Sequence, residues 1–318
     1  MKVIEHFKKA ESPFFSFELL PPLKGHNIDS IYNTIDNLME FNPLNINITY
    51  HQEETIYKKH PGGLLERKTV RKRPGTVAIS AAIKYKYPSV HVVPHIICGG
   101  FTKDATEYAL IDLHFLGIKD LLVLRGDPLK GQKYFQAEED GHANASELVE
   151  QIINMNQGKY LDEHLENKTT TDFSIGVAGY PEKHLEAPNM EYDLAYLKKK
   201  VDAGADYIVT QMFYDNQKYF DFVKGCRNIG INVPIIPGLK PISTLKDISL
   251  LPKVFSIDIP DELVKELGRC KTDKEAFQVG IEWGIEQSKE LKNFGVPAIH
   301  YFTIGISDNI KAIAKEIF

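Results

Sequence analysis

The sequence predicts an α/β fold, a (β/α)8 TIM barrel with inserted loops and extra helices, occupying residues 1–318 as a single domain. Three observations lead there. Eight short apolar bursts rich in β-branched and aromatic residues recur along the chain, each bounded by Gly, Pro, Asn or Asp. Helical stripes lie between them, and strands that alternate with helices pair in parallel with the helices outside. The first burst also runs into Glu18-Leu19-Leu20-Pro21-Pro22, not into the glycine fingerprint that an open doubly wound sheet places after its first strand.

In order, the bursts are Phe14 to Leu20, Leu44 to Tyr50, Val90 to Ile97, Asp120 to Gly126, Phe173 to Tyr180, Tyr207 to Met212, Val233 to Leu239 and Ala298 to Thr303. Asp29 to Phe41 carries Ile31, Ile35, Leu38 and Phe41 at helical spacing, and Asp104 to Leu116 carries Ala109, Leu113 and Leu116. Leu194, Leu197 and Val201 form another stripe, closed by Gly204 as its C-cap. Two stretches exceed a minimal barrel. Residues 51–86 contain the break Pro61-Gly62-Gly63 and a helical segment beginning near Gly75, and residues 243–294 hold extra helices, one ending at Gly295. Both read as insertions between a strand and its helix.

Composition narrows the function. A hydrophobic fraction of 43% and a charged fraction of 25% are ordinary for a globular protein, and a net charge of -5 argues against nucleic acid as the partner. The basic run Arg67 to Arg73 goes against that trend. It reads first as a solvated linker or helix face and second as a polyanion-binding patch, with no aromatic residue interleaving its charges. Cys98, Cys226 and Cys270 are too dispersed for a disulfide framework or a thiolate metal site, and no His/carboxylate pair has metal-ligand spacing. The N-terminus lacks the apolar core of a signal peptide, and no run of apolar residues is long enough to span a bilayer. A cytoplasmic enzyme with no metal and no membrane partner is expected.

Barrel enzymes work at the C-terminal ends of their strands. Strands one to six place there Glu18, Thr49, His95, Arg125-Gly126-Asp127, Tyr180 and Gln211. Glu18 stands between apolar neighbours that penalise its ionisation, which suits a general acid; a salt-bridged structural carboxylate is the alternative. Asp127 could stabilise a cationic intermediate from the mouth or merely cap a turn. His95 and His184 read alone as core or loop histidines. Asp193 and Lys200, two helical turns apart, share a face that is either solvated or turned towards hydroxyls and phosphates of a cofactor.

Taken together, Phe17-Glu18-Leu19-Leu20-Pro21-Pro22, Leu124-Arg125-Gly126-Asp127, Gly179-Tyr180-Pro181-Glu182-Lys183-His184, the run Leu197 to Ala205 and Thr210-Gln211-Met212-Phe213-Tyr214-Asp215 resemble the methylenetetrahydrofolate reductase family over nearly the whole chain. The resemblance implies a catalytic barrel that binds FAD non-covalently and uses NADH or NADPH, with NADH favoured by analogy to bacterial members. It would reduce 5,10-methylenetetrahydrofolate to 5-methyltetrahydrofolate in ping-pong order. By the same resemblance Glu18 is the general acid, Asp127 the carboxylate beside flavin and pterin, and Gln211 a pterin contact. Thr49, His95, Leu124, Arg125, Gly126, Asp127, Ala145, Tyr180, His184, Asp193, Lys199 and Lys200 are implied contacts of FAD. Three departures accompany it. Thr303-Ile304-Gly305-Ile306 stands where the family commonly carries an arginine linked to the folate tail, Asn144 where a tyrosine is frequent, and Tyr196 where an asparagine is. The chain also ends soon after the barrel, so a C-terminal regulatory extension and adenosylmethionine inhibition are not expected. Another FAD-dependent barrel oxidoreductase of the proline-dehydrogenase type and a non-catalytic barrel binding protein are the alternatives, and a homo-oligomer stays open.

Overall fold

The computed structural model describes residues 1–50, 52–129 and 131–318. In chain order the elements are α1 (Val3–Phe7), β1 (Phe14–Leu19), α2 (Asp29–Leu38), β2 (Asn45–Ile48), β3 (Glu54–Lys59), β4 (Leu65–Val70), α3 (Thr76–Lys86), β5 (His91–Ile97), α4 (Lys103–Phe115), β6 (Asp120–Leu124) and α5 (Ala145–Asn156). Then follow β7 (Ser174–Gly179), α6 (Met190–Asp202), β8 (Tyr207–Met212), α7 (Asn216–Asn228), β9 (Ile235–Leu239), α8 (Asp247–Phe255), α9 (Asp261–Arg269), α10 (Asp273–Phe294), β10 (Ala298–Phe302) and α11 (Asp308–Ile317).

Eight parallel strands close in the ring β1-β2-β5-β6-β7-β8-β9-β10, with β10 returning to β1. Each of the eight apolar bursts holds one of them. Side chains alternate across a strand, and the alternation sorts this barrel cleanly. Phe15, Phe17 and Leu19 of β1, Ile46 and Ile48 of β2, and Ile299 and Tyr301 of β10 point outwards into the large core under the helices. Their neighbours face the lumen. Val93, Leu122, Tyr207, Val209, Ile236 and Ala298 fill it, and Val3, Ile4 and Phe7 of α1 join the same cluster. Asp120 ties α1 to the barrel by accepting from the Val3 amide at 2.8 Å.

The lumen has two chemical halves. Around β6 to β9 it is apolar. Around β10, β1, β2 and β5 it is polar: Ser16 Oγ lies 2.9 Å from His300 Nδ1, and Asn45 donates to Asn47 at 2.8 Å. Glu18 and His95 continue that polar side upwards, since Ser16 and Glu18 share a face, as do Val93 and His95.

Helix ends follow local chemistry. Thr272 and Asn189 cap α10 and α6, and α10 stops at Gly295, which takes the left-handed conformation (φ 86°). Three expectations need correction. The 51–86 insertion, of which His51 lies outside the described residues, carries a β3–β4 antiparallel hairpin as well as α3. The basic run Arg67 to Arg73 is therefore neither linker nor helix face but mostly strand β4. His95 is not a strand end either, because β5 continues to Ile97.

Close packing reaches the top of the barrel at Gly238. A Cβ there would collide with the Thr210 carbonyl oxygen and stand 2.7 Å from the Phe302 ring. Both neighbours belong to paired strands and cannot retreat. Gly238→Ala is expected to cost about 1–3 kcal/mol in chemical denaturation.

Candidate active site

Glu18, Thr49, Arg125, Gly126, Asp127, Tyr180 and Gln211 stand at or just beyond the C-terminal ends of barrel strands, and His95 lies two residues before the end of β5, so one mouth gathers them. β1 and β6 are three steps apart in the ring of eight, which sets Glu18 and the Arg125-Gly126-Asp127 turn on facing sides of the opening.

Glu18 is the most perturbed carboxyl at this mouth. Its side chain is 15% exposed, and Oε2 lies 3.4 Å from Nε2 of His95, itself 6% exposed. Burial penalises the anion and pushes the Glu18 pKa up to about 8. At neutral pH the carboxyl therefore carries its proton. Below it, burial holds His300 down to about 3, so the imidazole two residues deeper is neutral.

Across the mouth from this acid lies a cavity of about 260 Å³ between the ends of β6 and β7 and the helices α5 and α6. Leu124, Arg125, Ala145, Tyr180, His184, Asp193 and Lys200 line it. Each is placed by its element. Arg125 follows the last residue of β6, and its guanidinium is held by a bidentate pair with Glu186 at 2.6 and 2.9 Å. Arg125 holds Glu186 below the usual carboxylate range. Ala145 opens α5, whose first turn is secured by Glu147 accepting from the Ala143 amide at 2.8 Å. Asp193 and Lys200 project from one face of α6, as their spacing requires. The Asp193 carboxylate accepts from the His184 amide at 3.0 Å, and burial raises its pKa. Lys200 donates to the Ala178 carbonyl at 2.5 Å, and burial lowers its pKa to about 8. Tyr180 and His184 meet edge to face at 4.8 Å.

The remaining expected residues fall elsewhere. Lys199 is exposed, one position off the inner face of α6, with its ammonium 4.7 Å from the ring centroid of Tyr196. It borders the cavity through that tyrosine and does not line it. Gly126 adopts φ 89°, which only glycine tolerates readily, and turns the chain away so that Asp127 is exposed. The Asp127 carbonyl accepts from Gln52 at 2.7 Å. The same Gln52 amide packs where a Cβ of Gly99 would be, 2.6 Å away, so Gly99 and Gly126 together make room for it. Thr49 donates to the Leu19 carbonyl at 3.3 Å, closing the top of β1 on β2. Gln211 stands where the β8–β9 ladder is interrupted between Val209 and Met212, an irregularity that re-aims the end of the strand. Its own Oε1 accepts from the Met212 amide.

Glu186, Tyr192 and Ser146 were not singled out from the sequence, yet all three line the cavity. Asn144 and Tyr196, noted only as departures, do so too. A signal existed for Tyr192 and Tyr196. With Asp193 and Lys200 they complete one α6 face at spacings of three, four and seven residues. Nothing local marks Glu186, whose partner Arg125 is 61 positions away. Among the described residues no cluster of His, Cys, Asp and Glu could hold a metal ion. No described helix is long and apolar enough to cross a membrane.

Fold and site together define a barrel enzyme-like architecture in which a carboxyl of raised pKa and a cleft with cationic walls stand at one mouth. Comparison with known proteins gives the family. The family model for methylenetetrahydrofolate reductase matches residues 2–317, and the chain belongs to that family. It is 33% identical over 330 residues to methylenetetrahydrofolate reductase (NADH) 1 of Arabidopsis thaliana, covering 100% of this chain and 51% of that one. It is 29% identical over 305 residues to 5,10-methylenetetrahydrofolate reductase of Escherichia coli K12, covering 95% and 90%. The chain thus spans about half the length of the plant relative and most of the bacterial one. Among solved structures, an uncharacterized protein from Clostridium thermocellum that binds two copies of 5-methyl-5,6,7,8-tetrahydrofolic acid superposes with a TM-score of 0.60 at 17% identity, over 98% of both chains. That likeness establishes the shared fold.

Glu18 leaves a thermodynamic trace. The folded protein retains this proton between about pH 4.5 and about pH 8, whereas the unfolded chain releases it, so stability falls as pH rises through that window and levels off above it. Glu18→Gln removes the effect. The variant should melt at a higher temperature than the parent at about pH 8.5, and the difference should close towards about pH 4.5. Parallel melting curves at both pH values would contradict the raised pKa.

Proposed function

We propose that this chain reduces 5,10-methylenetetrahydrofolate to 5-methyltetrahydrofolate, taking electrons from NADH or NADPH through a non-covalently bound FAD. The observation that carries the reading is the proton retained by Glu18 at the barrel mouth. Opening the five-membered ring of the substrate breaks a carbon–nitrogen bond, and the departing nitrogen needs a proton. A buried carboxyl with a pKa raised to about 8 is suited to give it. The ring-opened substrate is an iminium cation, and the exposed Asp127 carboxylate across the mouth is the anion available to stabilise it.

The residues of the cavity fit the flavin dinucleotide. Arg125 and Lys200 present cations suited to a pyrophosphate. Asp193 and His184 offer partners for ribityl and ribose hydroxyls, and Tyr180 offers an apolar wall. At about 260 Å³ the cavity would accommodate part of the dinucleotide. When bound there, FAD supplies hydride transfer between nicotinamide and folate. This chain's residues supply the rest. His95 limits the positions open to the Glu18 carboxyl, Gln211 is placed to hydrogen-bond the pterin, and the apolar half of the lumen keeps water from the base of the site. Because nicotinamide and pterin would approach through the same mouth, ping-pong order follows. The proline-dehydrogenase-type alternative gives Glu18 no proton to deliver.

Separate half-reactions test the proposal by flavin absorbance. Glu18→Gln should leave reduction by NADH within about threefold of the parent and slow reoxidation by methylenetetrahydrofolate by about 10²-fold or more. In the parent, the folate half-reaction should decline as pH rises through about 8. Equal losses in both half-reactions would remove Glu18 from the role of acid, and a protein that binds no added FAD would end the proposal.

A further inference from the structure

The β3–β4 hairpin is the feature the barrel chemistry leaves unused. Between positions 53 and 73 the chain carries seven Lys and Arg against three Glu, in a protein of net charge -5. The register pairs Tyr57 with Arg67, Lys59 with Leu65 and Thr55 with Thr69. Since alternate residues share a face, Tyr57, Lys59, Leu65 and Arg67 lie together. That face holds two cations and no carboxylate along the paired strands. Opposite it, Glu54 and Glu66 accompany Lys58 and Lys68.

The carboxylates of the hairpin are already engaged. Glu66 pairs with His60 at 2.7 Å, Glu54 with Lys72 at 2.5 Å, and Glu53 with Arg71 at 3.7 Å. No ion pair among the described residues involves Lys59 or Arg67. Tyr57 is 64% exposed and Leu65 59% exposed between them. The aromatic residue missing from the basic run itself is thus supplied across the strand.

The hairpin is anchored to the mouth. At its base the Lys72 carbonyl accepts from the Lys24 amide at 2.7 Å, and Arg73 donates to the carbonyl of Pro21, three residues beyond Glu18. Gln52, just before β3, holds the Asp127 carbonyl. The base of the ribbon is thus joined to the segments that follow Glu18 and carry Asp127. The loop after β10 offers no alternative cation, since Thr303 to Asp308 reads Thr-Ile-Gly-Ile-Ser-Asp.

We infer that the Tyr57–Lys59–Leu65–Arg67 face binds the γ-linked glutamate tail of a polyglutamylated folate substrate. The inference rests on the folate reading of the barrel. A folate presents its pterin at one end and carboxylates at the other, and each added glutamate contributes one more negative charge. Lys59 and Arg67 pair with successive tail carboxylates, while Tyr57 and Leu65 cover the apolar stretches between them. Exposed pairs of this kind are each worth little, so the effect grows with tail length and is screened by salt.

The test compares methylenetetrahydrofolate bearing one glutamate with the same compound bearing five, using the parent and the double variant Lys59→Glu/Arg67→Glu. In the parent, KM for the pentaglutamate should be about three- to tenfold lower than for the monoglutamate, and added salt should erase the difference. In the double variant the two values should converge, with monoglutamate kcat and KM and the FAD content unchanged. Free γ-linked pentaglutamate should compete with the long-tailed substrate in the parent alone. Equal KM values in the parent, or an advantage retained by the variant, would overturn the hairpin assignment while leaving the reductase reading intact. So would competition by an RNA oligonucleotide where pentaglutamate has no effect. A flavin-loaded parent that reduces neither folate would overturn both.

Discussion

A carboxyl that keeps its proton at neutral pH must be denied both water and a cation. At the top of this barrel burial supplies the first condition: the Glu18 side chain is 15% exposed, with His95 Nε2 3.4 Å from its carboxyl. Phe17 and Leu19, its neighbours on β1, are turned outwards into the helical core, which forces Glu18 towards the lumen. There it meets the rim of His95 and, deeper, a neutral His300 and the amides of Asn45 and Asn47. The cations of the site, Arg125 and Lys200, stand on the other side of the opening, around the cavity, and Arg125 is occupied by Glu186. Acid and cationic wall coexist because the barrel keeps them on different strands.

The same separation divides labour in the fold. Strands β10, β1, β2 and β5 carry the polar lumen, and strands β6 and β7 with α5 and α6 carry the cavity. Small residues keep the two regions connected. Gly176 leaves room for the Tyr207 ring, 2.5 Å from where a Cβ would be, and Gly238 brings β9 against β8 and β10. Gly99 and Gly126 allow Gln52 to reach across from the second strand's loop to the fourth's. The mouth is therefore stitched by side chains belonging to the inserted hairpin. This makes the insertion part of the site's frame.

Much of this was legible in the residues. Strands buried on both faces read as apolar bursts, so each barrel strand could be placed, most of them within two residues of the observed ends. Helix α6 announced its inner face through Leu194, Leu197 and Val201, and Asp193 and Lys200 fell where their spacing put them. Lys199 did not, because a step of one residue rotates a side chain by about 100° on a helix. The β3–β4 hairpin was invisible for a physical reason. Both faces of β4 are solvated, so Leu65-Glu66-Arg67-Lys68-Thr69-Val70 shows no alternation of apolar and polar residues, and only Pro61-Gly62-Gly63 hinted at a turn. Helix α1 is five residues long, too short for periodicity to register. Glu186 and Gln52 act through partners 61 and 75 positions away, contacts that no local pattern encodes.

The protonation of Glu18 is open to direct observation. Infrared difference spectra between the parent and Glu18→Gln, collected from neutral to alkaline pH, isolate the carbonyl stretch of a protonated carboxyl from that of a carboxylate. A protonated signal at pH 7 that disappears with a midpoint close to 8 is the result this account predicts. A carboxylate signal already complete at pH 7 would contradict it, and with it the source of the proton on which the proposed reaction depends.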